Sequence, residues 1–155
     1  DLEPEPYPLF VRYGATETEK ITKAPDESSL AIFDNTIQLR GADISPLGDG
    51  RLLVDLRWSL VSEEVDRPLT VYVHVMGPNG LIGQSDNVPG DGNWPAQWWR
   101  KGLTILDRHI LMLEAPYEEE NHQILIGLYE AVTREHLPVI DDDGAPAGDA
   151  WLCQP

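Results

Sequence analysis

A chain of 155 residues with 41% hydrophobic content supplies one continuous core and little material for a second. Its 27 Asp and Glu against 11 Lys and Arg give a net charge of −16, which repels phosphate backbones and anionic lipid surfaces and argues against a nucleic-acid partner. No apolar run approaches the roughly 20 residues of a membrane-spanning helix, so direct membrane insertion is not expected, and the single cysteine, Cys153, leaves no internal disulfide and no thiolate metal cluster.

The chain starts at Asp1 without the basic, apolar and small-residue order of a signal peptide, the expectation for a matured chain or a piece of a longer one. Residues 1–28 carry Pro4, Pro6, Pro8 and Pro25 among acids and read as an extended spacer. Within it Leu9, Phe10, Val11 and Tyr13 form an apolar stretch suited to adding a strand to a sheet edge, in this molecule or a neighbour.

From Ser29 the hydrophobic period is two, which is the period of a strand with one buried face. Strands are predicted over Leu30 to Phe33 and Thr36 to Ile44, either side of the turn pair Asp34 and Asn35. In Arg51 to Val61 the residues Leu52, Val54, Leu56, Trp58 and Leu60 share one face. Leu69, Val71, Val73 and Val75 repeat the alternation, and Gly77-Pro78-Asn79-Gly80 turns the chain into Leu81 to Ser85 as an antiparallel hairpin. Asp86 to Gly102 is a long loop rich in Gly, Pro, Asn and Trp, and such loops usually carry function. Leu103 to Leu113 and His122 to Glu130 resume the strand pattern, the latter with His122, Ile124, Ile126 and Leu128 on one face. Leu137 to Ile140 and Ala150 to Cys153 close the set around an Asp-Gly-Pro loop. Eight or nine short strands and no amphipathic helix predict an all-β fold, a two-sheet antiparallel sandwich of Ig-like or jelly-roll-like kind over residues 29–155, with barrel closure as the alternative.

The run Trp58, Val71-Tyr72-Val73-His74-Val75, Gly80, Gln84-Ser85-Asp86 and Pro89 continues with Trp94-Pro95, Trp99, Gly102, Asp107, Gly127-Leu128-Tyr129 and Leu137-Pro138-Val139. In this order and spacing it resembles the β-sandwich domain at the C-terminal end of bacterial multi-spanning membrane proteins similar to dolichyl-phosphate-mannose-type glycosyltransferases, and of related stand-alone proteins. The resemblance covers most of residues 33–152. It implies an accessory domain on the outer side of the membrane, near glycan chemistry and with no assigned catalytic residue. This chain departs from the pattern in carrying no membrane-spanning segment and in having Glu130 where the Gly-Leu-Tyr strand usually runs into Asp.

The long loop holds the candidate ligand site. Exposed indoles of Trp94, Trp98 and Trp99 would stack on a sugar ring, with Asp86, Asn87, Asp91 or Asn93 supplying hydrogen bonds. The competing reading makes Trp99 a plug for the end of the core. Asp86, Asp91 and Asn93 also offer oxygen ligands of the kind calcium takes, although no dedicated calcium-loop motif is present and no other cofactor is implied. Asp141-Asp142-Asp143-Gly144 is a solvated turn, and His74, His109, His122 and His136 lack zinc spacing. Asp107 is an acid inside a strand, which pairing with Arg108, Arg57 or a backbone amide would explain. With no Gly-x-Ser-x-Gly turn and no other activated nucleophile pattern, the expectation is a non-catalytic extracytoplasmic module for assembly, binding a protein partner or its own copy through a sheet edge. The alternative is a carbohydrate-binding module using the Trp loop, and a glycoside hydrolase, which would need two facing carboxyl groups, stands behind both.

Overall fold

The computed structural model describes residues 29–153, so Leu9, Phe10, Val11 and Tyr13 lie outside the described residues. The strands in chain order are β1 Ala31–Phe33, β2 Ile37–Pro46, β3 Arg51–Leu60, β4 Leu69–Gly77, β5 Gly80–Asn87, β6 Ile105–Met112, β7 Gln123–Glu130, β8 Val139–Ile140 and β9 Trp151–Cys153. They form a five-stranded sheet in the order β6-β3-β2-β1-β8 and a four-stranded sheet in the order β5-β4-β7-β9. Every pairing is antiparallel. The protein is a two-sheet antiparallel sandwich, as the alternation predicts.

Alternation decides which side chains meet between the sheets. On β3, Leu52, Val54, Leu56 and Trp58 are fully buried, and on β4 so are Val71, Val73 and Val75. Ile124, Ile126 and Leu128 of β7 join them with Phe33, Ile37 and Leu39 in one core, where Phe33 meets the Trp58 indole edge-on at 5.8 Å. Each buried aliphatic side chain contributes about 1.5–3 kcal/mol of transfer free energy. The β1–β2 turn uses Asp34 and Asn35 at φ 49° and 52°, a conformation that residues with short polar side chains tolerate better than most.

Most strand ends shift from the sequence reading by one or two residues, and two of these shifts have a local reason. β2 runs on to Pro46 because β3 continues to pair with it through Ser45↔Leu53 and Pro46↔Leu52. β7 begins at Gln123, one residue late, because the His122 ring turns back and its Nδ1 accepts the Glu118 N–H at 3.0 Å, which closes the preceding turn.

β5 ends the four-stranded sheet and β6 ends the five-stranded one, and these two edge strands contact each other across the open side of the sandwich. The Trp-rich loop connects them at the end of the molecule where β4 and β6 begin.

Candidate functional site

The loop between β5 and β6 is built to fold back on itself. Positive φ at Gly90, Asp91 and Gly92 (67°, 56° and 81°) reverses the chain, and the amides of Gly92 and Trp94 donate to Val88 and Pro89 carbonyls at 2.9 Å. A Cβ on Gly90 would stand 2.5 Å from that of Trp94, so the reversal is close enough to demand glycine there. The chain then makes one 3₁₀ turn, Ala96–Trp98.

This turn separates the three tryptophans. Trp99 is fully buried, and its Nε1 donates to the Trp94 carbonyl at 3.0 Å. Trp94 is 5% exposed and sits in the core beside Ala96. Trp98 alone faces outward, 55% exposed, with its ring standing perpendicular to Trp94 at 6.0 Å. Trp94 and Trp99 therefore tie the loop to the core, and Trp98 is the one indole of the three that a ligand can meet.

The predicted polar partners also divide. Asp91 and Asn93 are exposed beside the turn, where Asn93 Nδ2 donates to the Asp91 carbonyl at 3.0 Å. Asn87 stands against Gly92. Asp86 is drawn to the outer face of the four-stranded sheet, with Oδ1 3.2 Å from His74 Nε2 and Oδ2 accepting the Tyr129 hydroxyl at 3.0 Å. The three oxygen-bearing residues considered for calcium are thus not turned toward one point. Among the described residues no group of three or more His, Cys, Asp and Glu is placed to hold a metal ion.

Asp107 anchors the loop from below. Its Oδ1 accepts the Gly90 N–H at 2.9 Å, and its Oδ2 accepts Trp58 Nε1 at 3.1 Å and lies 2.9 Å from His109 Nε2. The other ring nitrogen, Nδ1, is 2.8 Å from Ser85 Oγ on β5. Asp107 and His109 are two residues apart on β6, so both point inward, at 1% and 2% exposure. A buried carboxylate is costly unless its lone pairs are filled, and here three N–H groups fill them. Of the partners proposed for Asp107 from sequence, the structure selects a backbone amide, while Arg108 pairs with Asp55 instead.

The outer face of the four-stranded sheet carries a second polar cluster. Tyr72 lies across Gly127 and donates its hydroxyl to the Asp149 carbonyl at 2.8 Å, and His136 Nδ1 is 3.3 Å from the Tyr72 hydroxyl oxygen. The Tyr129 ring lies near-parallel to Tyr72 at 6.1 Å, with the Arg134 guanidinium 5.4 Å from its centroid. Burial, then the charges of Asp149 and Asp86, push the Tyr72 phenol up to about 12. Burial and the hydrogen bond to Asp86 push Tyr129 up as well. Glu130 accepts the Thr133 and Val132 amides, and those bonds hold its carboxyl below the usual range.

The lone thiol offers less chemistry. Cys153 lies at the opposite end of β4 from the Trp loop, in a shallow groove lined by Met76, Gly77, His122 and Leu152, and burial raises its pKa, which leaves less thiolate for attack.

Sequence reasoning missed the Ser85–His109 contact and the grouping of Tyr72, Tyr129 and His136. A signal for the first was present: Ile105, Asp107, His109 and Leu111 alternate on one face, so two polar residues stand in an apolar row. The second depends on the chain returning over β7 at His136, which the bridge between Tyr129 and His136 records and no local pattern announces. No protein-family model matches this chain, and no curated protein matches it.

Proposed function

We propose that this protein is an extracytoplasmic accessory module that works by recognition, and that the Trp98 loop is its contact surface for a glycan. The observation that carries this is the asymmetry of the loop: two tryptophans anchor it in the core while the third is held out, 55% exposed, on a 3₁₀ turn. An exposed indole is an expensive surface group for a soluble chain, and one fixed by its neighbours loses little freedom on stacking against a sugar ring. Asp91 and Asn93, exposed on the same loop, supply donors and acceptors for hydroxyl groups. The extracytoplasmic setting rests on the sequence resemblance.

The test is a titration of intrinsic tryptophan fluorescence with a panel of oligosaccharides on the whole chain and on Trp98→Ala. A saturable change that Trp98→Ala abolishes while the fold is retained is the expected result. A flat response across the panel, or a response unchanged in the variant, refutes the reading.

A second reading is assembly through a sheet edge, favoured by one specific observation. β6 pairs only with β3, and its outward side chains Ile110 and Met112 are 51% and 67% exposed, beside the outward Leu53 of β3. An edge strand with apolar side chains on its free face is a surface on which another chain can add.

A further inference from the structure

We infer that Ser85, His109 and Asp107 form a nucleophilic relay, and that the chain cleaves small acyl esters at the seam where the edge strands β5 and β6 face each other. The inference goes beyond glycan recognition and stands or falls without it. Its basis is the continuous hydrogen-bonded path Ser85 Oγ to His109 Nδ1 at 2.8 Å and His109 Nε2 to Asp107 Oδ2 at 2.9 Å. Such a constellation is identified by geometry and roles, whatever the fold or the order in the chain.

Each member has the environment its role requires. Asp107 is fixed by Gly90 and Trp58, both of which can only donate, so the carboxylate accepts from His109 and sets its Nε2 as the protonated nitrogen. That leaves the Nδ1 lone pair for the Ser85 hydroxyl proton. His109 is 2% exposed and cannot rotate away. Ser85 is half-buried, on a strand that pairs with β4 alone and has no fully buried residue, so the hydroxyl end of the path is the end nearest solvent. Two residues before Ser85 on the same strand, Gly83 is packed against Leu113, the residue that follows β6, which closes the seam there.

In the reaction, Ser85 Oγ attacks the ester carbonyl carbon as its proton passes to His109 Nδ1. The carbon–oxygen bond to the alcohol breaks, and the alkoxide leaves with that proton. Water then attacks the acyl-serine, again giving a proton to Nδ1, and the carboxylic acid departs as the Ser85 hydroxyl is restored. No metal, oxidant or further reactant enters the balance. Asp107 keeps its charge throughout and is the positioning residue.

The test uses the full chain and a tagged fluorophosphonate, which forms a phosphorus–oxygen bond to an activated serine and expels fluoride, followed by peptide mapping and by hydrolysis of p-nitrophenyl acetate. The expected result is one adduct, on Ser85, together with ester turnover. Both vanish in Ser85→Ala, and His109→Gln slows them by about 100-fold or more, the share a general base supplies. The wild-type map decides the matter even where a variant misfolds, because the Ser85 adduct must form on the native chain and be lost in urea. Absence of an adduct on Ser85, an adduct rate unaffected by His109→Gln, or equal labelling of the unfolded chain overturns the inference.

Discussion

Tyr72 and Gly127 show how closely two residues on neighbouring strands can be matched. A Cβ on Gly127 would lie 2.3 Å from the Tyr72 hydroxyl oxygen, inside any permitted contact, so the tyrosine crosses β7 only because that position has no side chain. Gly127→Ala must displace the ring and break its bond to Asp149. The expected cost is about 1–3 kcal/mol, typical of overpacking, read as a lower urea midpoint at unchanged slope. The same phenol gives the fold a pH signature. It ordinarily ionises near 10.0 and is held to about 12 in the folded chain, so the unfolded chain releases the proton first. Its contribution is therefore complete below pH 10 and is lost as the pH rises from there toward about 12. Denaturant titrations across that window should show stability falling with pH, with a shallower fall in Tyr72→Phe. An equal fall in the variant assigns the loss to other groups.

At the scale of elements, β6 has two unlike faces. Inward it carries Ile105, Asp107, His109 and Leu111, all at 2% exposure or less, and outward it ends in Ile110 and Met112 over half exposed. If that outward apolar face accepts a second copy, sedimentation of the whole chain should depend on concentration, and Ile110→Lys should suppress the dependence without altering the fold, since the side chain leaves the core untouched. A monomer at every concentration removes self-association from consideration. The β4–β5 hairpin illustrates what local sequence can specify: Gly77 pairs with Gly80 around Pro78 and Asn79, as the turn chemistry implies. The Trp loop shows the limit. Sequence reading offers Trp99 as a plug for the core but does not separate buried Trp94 from exposed Trp98, which the 3₁₀ turn between Pro95 and Trp99 sets apart.

Across the whole molecule, the sandwich was legible because apolar residues recur at every second position, Leu52 to Leu60 in β3 and Leu69 to Val75 in β4, so that each strand declares its inner face. Partners on different strands were not, because Ser85 and His109 are 24 positions apart and Tyr72 and His136 are 64 apart, and meet only once strand order is set. β5 is where these two levels join. None of its residues is fully buried, so hydrophobic patterning gives it no preferred alignment, and it lies at an edge, where strands slip most readily. Yet consecutive residues of β5 are bonded on opposite sides of the sheet, Ser85 to His109 within and Asp86 to His74 and Tyr129 without. A displacement by one position would place the serine outside and the carboxylate in the interior, breaking both sets of bonds and burying a charge. The alignment of this strand is thus encoded by two adjacent polar side chains acting as a key with teeth on both edges.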